Sequence, residues 1–297
     1  SIGAELILAP SKDEDTLARL AHDVDGILVT YAEVTEKVIK ACTKCRIIAR
    51  TGIGCNNIDM AAANQSGIMV SNVPDYCIDE VADHTLALIL SSLRKITLLS
   101  AAVKRGQWDM NLARPIPRLN TLTAGLVGFG HIAQAVSVRL KAFGIAVKAY
   151  DPYVADSVFT GAGIERCMSL QALAETADIL SLHSPLTDET RNMINNSIFQ
   201  SMKPSSILVN TSRGPLVHET NLPDAIVNGQ IAGCCLDVLT TEPCDRNSPL
   251  LHQDNVIITP HVAFYSEGSD IELRTKSTQQ IILALTQGQP QYWVNRA

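Results

Sequence analysis

No stretch of this 297-residue sequence is long and apolar enough to cross a bilayer as a helix. The most apolar segment, Val81 to Leu99, is broken by Asp83, His84, Arg94 and Lys95. The first residues, Ser1-Ile2-Gly3-Ala4-Glu5, lack the basic start and apolar core of a signal peptide. An excess of basic charge is missing too. The formal charge is −6, which argues against a protein that binds nucleic acid by neutralising phosphates. The expected partners therefore include neither membrane nor nucleic acid, and the expected location is cytoplasmic.

A disulfide framework is also missing. The eight cysteines are scattered through a chain large enough to bury a good core, a usage that suits a reducing compartment. Cys42 and Cys45 form a single Cys-x-x-Cys. No second pair completes a four-ligand set, so the sequence predicts ordinary thiols near a helix end and no metal.

What is present is the make-up of a globular protein: 46% hydrophobic and 18% charged residues, with a length that suits two domains. Short apolar runs alternate with segments of helical period, the pattern of a parallel α/β protein. Predicted strands are Glu5–Ala9, Gly26–Val29, Arg46–Ala49 and Gly67–Ser71, then Thr123–Val127, Ala146–Tyr150, Ile179–Leu182, Ser206–Asn210, Gly233–Asp237 and Val256–Ile258. One long helix, about 79–104, separates the two series, and a loop over 106–122 carries Trp108, Pro115 and Pro117. A last helix, 267–285, has the apolar spacing to return to the first series. The expectation is two doubly wound parallel-sheet, Rossmann-like domains with an inter-domain cleft: residues 1–92 plus 264–297, and residues 93–263.

The segment Gly125-Leu126-Val127-Gly128-Phe129-Gly130-His131-Ile132-Ala133 follows a predicted strand and opens a helix. In that setting Gly128 permits a tight turn, and Gly130 lets the backbone approach a pyrophosphate at the helix N-terminus, beside His131 and Ile132. Ala133 replaces the usual third glycine with one methyl group. Asp151 lies 151 − 130 = 21 residues beyond Gly130, at the end of the next strand. A carboxylate there accepts from the adenosine ribose hydroxyls and repels a 2′-phosphate, so the expected cofactor is NAD. The plainer alternative is a glycine turn with a surface aspartate; the strand, helix and acidic residue in sequence argue against it.

Beyond that loop the sequence resembles the D-isomer-specific 2-hydroxyacid dehydrogenase family over nearly its whole length. The resemblance rests on Arg50-Thr51-Gly52-Ile53-Gly54 with Asn57-Ile58-Asp59, the glycine loop, Val209-Asn210-Thr211-Ser212-Arg213-Gly214, Leu236-Asp237-Val238 with Glu242-Pro243, and Thr259-Pro260-His261. It implies a catalytic triad of Arg213, Glu242 and His261. A 2-oxo acid presents a carboxylate beside a ketone, and one guanidinium can bind the first while polarising the second. His261 would give a proton to the ketone oxygen as hydride arrives, and Glu242 would orient the imidazole. The imidazolium is the donating state, so reduction should be favoured at lower pH. Singly, each residue reads as an ordinary loop side chain; together and in the family's order they read as a site.

The resemblance further implies that Ile53 and Gly54 hold the substrate carboxylate through backbone N–H groups and that Tyr76 faces the substrate. Asp237 would bind the nicotinamide carboxamide, and Thr211 would lie beside the cofactor. His183 reads as a packing residue. Family members usually begin with a further strand and helix, so the first domain is expected to lack its usual first strand–helix unit, the chain being a fragment of a longer product or that unit being disordered or missing. The stretches Asp151-Pro152-Tyr153 and Ala263-Phe264-Tyr265-Ser266-Glu267 resemble the branch of C-terminal-binding proteins and glyoxylate-hydroxypyruvate reductases. Two functions follow: an NAD-dependent reductase of glyoxylate, hydroxypyruvate or pyruvate type, or an NAD(H)-sensing scaffold with weak turnover. A homodimer, formed through the second domain and the 106–122 loop, is implied as well.

Overall fold

In the first series of elements, helices α1 (Glu14–Ala21), α2 (Glu36–Ala41) and α3 (Met60–Gln65) alternate with strands β1 (Gly26–Val29), β2 (Ile47–Arg50) and β3 (Met69–Ser71). The computed structural model describes residues 3–296. Its chain divides into two units, Ser1–Tyr76 with Ser266–Ala297, and Cys77–Tyr265. In the first unit the strands form a parallel sheet in the order β1-β2-β3. Each helix start has a side-chain cap: Asp13 accepts from the N–H of Thr16 and Asp59 from that of Ala62, both at 2.9 Å, and Thr35 caps α2. Asp59, part of the Asn57-Ile58-Asp59 motif, thus has a local structural reason to be acidic.

The expected strand Glu5–Ala9 does not form. Leu6, Ile7 and Leu8 are 74%, 56% and 80% exposed, and β1 is the edge of its sheet. An apolar run becomes a strand only when a neighbour completes its ladder, and none does so here among the described residues.

The second unit begins with α4 (Ile78–Leu93) and α5 (Ile96–Lys104). A single helix was expected here. Lys95 instead adopts a left-handed conformation, φ 54°, and the two helices meet at a 60° bend. The unit boundary also falls at 76 rather than 92, because Ala82, Leu88, Ile89 and Leu93 pack with Leu126, Phe129 and Ala133 of the second unit.

The remaining elements are β4 (Thr123–Val127), α6 (His131–Ala142), β5 (Ala146–Tyr150), α7 (Asp156–Ala162), β6 (Glu165–Arg166), α8 (Leu170–Thr176), β7 (Ile179–Leu182), α9 (Asn196–Ser201), β8 (Ile207–Asn210), α10 (Leu222–Val227), β9 (Gly233–Leu236) and β10 (Val256–Ile258). The chain ends with α11 (Glu267–Gln287), which packs Ile281, Ala284 and Leu285 against Ile47, Ala49 and Met69 in the first unit. All seven strands of the second unit pair in parallel, in the order β10-β9-β8-β7-β4-β5-β6. Both faces of this sheet are buried. In β7 and β8, Ile179, Ile207 and Val209 join the core under α4, α6 and α7, while Leu180, Leu182 and Leu208 join the core under α8, α9 and α10. That double burial explains why the central strands β7, β8 and β9 read as nearly continuous apolar runs. The strand order reverses between β4 and β7, and ligands of such sheets bind at the carboxyl ends beside that reversal.

Candidate active site

The glycine loop follows β4 and His183 follows β7, so they flank the reversal point. Gly128 has φ 90°, and a Cβ there would lie 2.9 Å from the His183 backbone. Both the turn and the close approach therefore demand glycine. Gly130 differs: its φ is −75°, and a Cβ would meet nothing within 4 Å. The fold leaves that space open in front of α6, whose first turn begins at His131 and has no side-chain cap. Four N–H groups at such an end need an acceptor, and a pyrophosphate is one with the right charge. His131 is exposed at this start and Ile132 is partly buried.

Asp151, at the end of β5, is anchored by backbone. Oδ2 accepts from Phe129 N–H at 2.8 Å; Oδ1 accepts from Tyr153 and Val154 N–H at 2.9 and 3.2 Å. A carboxylate has about four acceptor positions, so Oδ2 retains one for a ribose hydroxyl. The dinucleotide thus fits the groups present: an open approach at Gly130, uncapped amides on α6 and a fixed anion that disfavours a 2′-phosphate. Thr211 is buried; its hydroxyl lies 2.8 Å from that of Thr85 on α4.

The triad residues come together within the second unit. Arg213 follows β8, Glu242 lies in the loop after β9, and His261 follows β10. His261 Nδ1 is 2.8 Å from Glu242 Oε2, and the other carboxylate oxygen accepts from Leu239 N–H at 3.0 Å. An ionised carboxylate only accepts, so Nδ1 carries the proton and Nε2 remains for a reacting oxygen. Burial raises the Glu242 carboxyl, but the His261 and Leu239 hydrogen bonds and the positive charges of His261 and Arg213 outweigh it and hold the group below its ordinary value. Gly214 lets the Arg213 segment approach this loop: a Cβ there would sit 2.0 Å from the Leu239 carbonyl carbon.

Asp237 is buried at 2% exposure and serves the turn that bears His261. Its backbone carbonyl accepts from His261 N–H at 2.8 Å. Its carboxylate accepts from Thr259 Oγ1 and Val262 N–H on Oδ1 and from Ala263 N–H on Oδ2. One acceptor position on Oδ2 remains for a carboxamide. His183, expected as a packing residue, is joined at Nε2 to Ser181 at 2.9 Å, while Nδ1 is buried without a partner among the described residues. Burial lowers its imidazole to about 4, so it is neutral near pH 7.

Ile53, Gly54 and Tyr76 belong to the first unit. Ile53 and Gly54 are partly buried in the loop after β2, where the Ile53 carbonyl accepts from Asn72 Nδ2 at 2.7 Å. The residue there whose backbone requires glycine is Gly52, because its φ of 142° lies in a region that other residues rarely adopt. Tyr76 is 7% exposed, so most of its ring is packed.

Residues 86–263 match the family model described as D-isomer specific 2-hydroxyacid dehydrogenase, NAD binding domain. The chain belongs to the D-isomer specific 2-hydroxyacid dehydrogenase family and carries its NAD-binding domain. Among similar proteins, D-3-phosphoglycerate dehydrogenase of Methanocaldococcus jannaschii is 37% identical over 278 residues, which are 93% of this chain and 53% of that protein. The chain thus spans about half the length of the curated relatives it matches. Among solved structures, D-lactate dehydrogenase from Aquifex aeolicus, complexed with NAD and lactic acid, is 30% identical with a TM-score of 0.83, covering 91% of this chain and 85% of that one. An NADPH-dependent glyoxylate/hydroxypyruvate reductase from Sinorhizobium meliloti is 30% identical with a TM-score of 0.87, covering 95% and 88%.

Proposed function

We propose that this protein is an NAD-dependent oxidoreductase that moves a hydride between the nicotinamide and C2 of a small D-2-hydroxy or 2-oxo acid. The observation that carries the reading is the His261–Glu242 pair, 2.8 Å apart, at the carboxyl edge of the NAD-binding sheet and within reach of the Arg213 charge. Bound NAD(H) supplies or accepts the hydride. Arg213 pairs with the substrate carboxylate and draws charge from the ketone. His261, held by Glu242 at Nδ1, passes a proton from Nε2 to the carbonyl oxygen and takes it back in the reverse direction. Substrates of glyoxylate, hydroxypyruvate or pyruvate type suit this machinery, and the names of the relatives add 3-phosphoglycerate to the compounds to compare. Steady-state assays of NADH oxidation with those 2-oxo acids, and of NAD reduction with 3-phosphoglycerate, which is a 2-hydroxy acid, test the reading; failure of every one to exceed the His261→Ala background overturns it.

A homodimer formed through the second unit is part of the same proposal. Trp108 and Met110 are 89% and 73% exposed on the loop after α5. A cavity of about 800 Å³, lined by Thr97, Leu98, Ile116, Pro117 and Leu122 among others, lies at the amino ends of the strands, opposite the site. Apolar exposure of this kind favours a second copy of the chain. Sedimentation of the protein and of Trp108→Lys tests it: a dimer that dissociates in the variant is expected, and a monomeric parent protein contradicts it.

A further inference from the structure

We propose that His84 is a positioning residue for His261, acting through Thr259 and Asp237; the inference rests on the reading of His261 as the proton-transfer group. His84 stands on α4, a helix whose neighbouring positions are largely apolar, and its ring is 24% exposed. Its Nε2 is 3.0 Å from Thr259 Oγ1 and 3.7 Å from Asp237 Oδ1. Thr259 Oγ1 in turn lies 2.6 Å from Asp237 Oδ1.

The direction of each bond follows from counting protons. The Asp237 carboxylate can only accept, so the one proton of the Thr259 hydroxyl goes to it. Thr259 Oγ1 is then left as an acceptor, and His84 Nε2 must be the donor. The chain runs one way: His84 Nε2–H to Thr259 Oγ1, and Thr259 O–H to Asp237 Oδ1. At its end the same carboxylate receives the N–H groups of Val262 and Ala263, both at 2.9 Å.

Those two amides immediately follow His261, whose φ of 52° is in the left-handed region. A non-glycine residue stays there only when its surroundings impose it. Here the Asp237 carbonyl holds the His261 N–H from one side while the Asp237 carboxylate holds the next two amides. Rotation of that carboxylate would release the turn and move the imidazole away from Glu242. The Thr259 hydroxyl fixes the rotation, and His84 fixes the hydroxyl.

The adjacent residue performs a parallel task. Thr85 donates to the Val81 carbonyl at 2.7 Å, so at its 2.8 Å contact with Thr211 it accepts. The His84-Thr85 pair therefore orients one hydroxyl after β10 and another after β8, from a single helical turn.

The test compares His84→Ala, His84→Gln, Thr259→Val and the His84→Ala/Thr259→Val double variant. The first readout is amide hydrogen exchange at Val262 and Ala263, which needs neither cofactor nor activity. Exchange there should speed by about tenfold or more in His84→Ala, recover in His84→Gln, whose amide can donate, and stay unchanged in α7. The double variant should exchange no faster than Thr259→Val alone, because the relay is already cut. Turnover should fall about ten- to a hundredfold in His84→Ala with KM for the 2-oxo acid held within about twofold, as for a misplaced reacting group. Unchanged exchange at Val262 and Ala263, or additive effects in the double variant, overturn the inference. An absence of any 2-oxo acid turnover would overturn the functional reading instead, while the exchange result would still decide the relay.

Discussion

Glu242 divides its carboxylate between two partners: Oε2 meets His261 Nδ1 at 2.8 Å, and Oε1 takes the Leu239 N–H at 3.0 Å. The second bond makes the first directional, since a carboxylate fixed by backbone cannot swing away from the imidazole. Glu242→Gln keeps the size but removes the charge, and its amide N–H₂ opposes either Leu239 N–H or His261 Nδ1–H. We expect kcat for reduction to drop by about 10²-fold, within the range for acid–base groups. Steady-state kinetics of both proteins measure this; an unchanged kcat would show that Glu242 does not act on His261.

The two glycines of the nucleotide loop should separate by mechanism. Gly130→Ala meets open space, so the variant should melt within a few degrees of the parent yet bind NADH about tenfold or more weakly, as the methyl group occupies the ligand's approach. Gly128→Ala combines φ 90° with a 2.9 Å backbone clash and should lower stability itself. Thermal melts paired with NADH titrations distinguish the two. Equal NADH affinity in Gly130→Ala would mean that the cofactor does not pass there.

Asp151→Ala should weaken NADH and relax discrimination against NADPH, since the carboxylate at the end of β5 is lost. The Phe129 amide loses its acceptor at the same time, so loop order should suffer. Titrating both cofactors reads the ratio; an unchanged preference would place the ribose elsewhere.

Stability against pH follows from the shifted groups. Glu242 is held below its ordinary value for the reasons given above. For Asp75, burial opposes ionisation, but Lys276 and Tyr292 outweigh it and lower the carboxyl. Both carboxylates therefore stabilise the fold above the ordinary carboxylate range, and that contribution is lost as pH falls through their lowered values. His183 has the complementary effect. Its folded value of about 4 lies below the ordinary 6.5, so between those pH values the unfolded chain binds a proton that the native one does not. Stability should fall as pH drops through that window, with a slope of at most about 1.4 kcal/mol per pH unit from this group. Urea unfolding from pH 4.5 to 7 should be flatter in His183→Gln; parallel curves would contradict the assignment.

Much of this was legible in the sequence because it is local. Strands Thr123–Val127 and Ile179–Leu182 fall where their apolar runs stand, since burial on both faces writes a continuous signal, while Ala146–Tyr150 shows the alternation of a strand with one face partly open. The glycine loop and Asp151 were legible because the spacing of one strand, turn and helix is fixed. What escaped depends on distant partners. Leu6-Ile7-Leu8 has a strand's composition but no ladder, and nothing around Lys95, neither glycine nor proline, announces the bend between α4 and α5. Gly214 and His84 were silent for the same reason: their meaning lies in Leu239 and Thr259, 25 and 175 residues away.

The most direct test of the whole account is NADH oxidation by the purified protein with glyoxylate, hydroxypyruvate, pyruvate and 3-phosphohydroxypyruvate, beside His261→Ala and Arg213→Lys. Rapid turnover of at least one of these acids is expected, lowered about 10²- to 10⁴-fold by loss of the imidazole and strongly by loss of the guanidinium fork. Tight NADH binding with slow, unselective oxidation that neither substitution changes would contradict it and favour an NAD(H)-sensing scaffold.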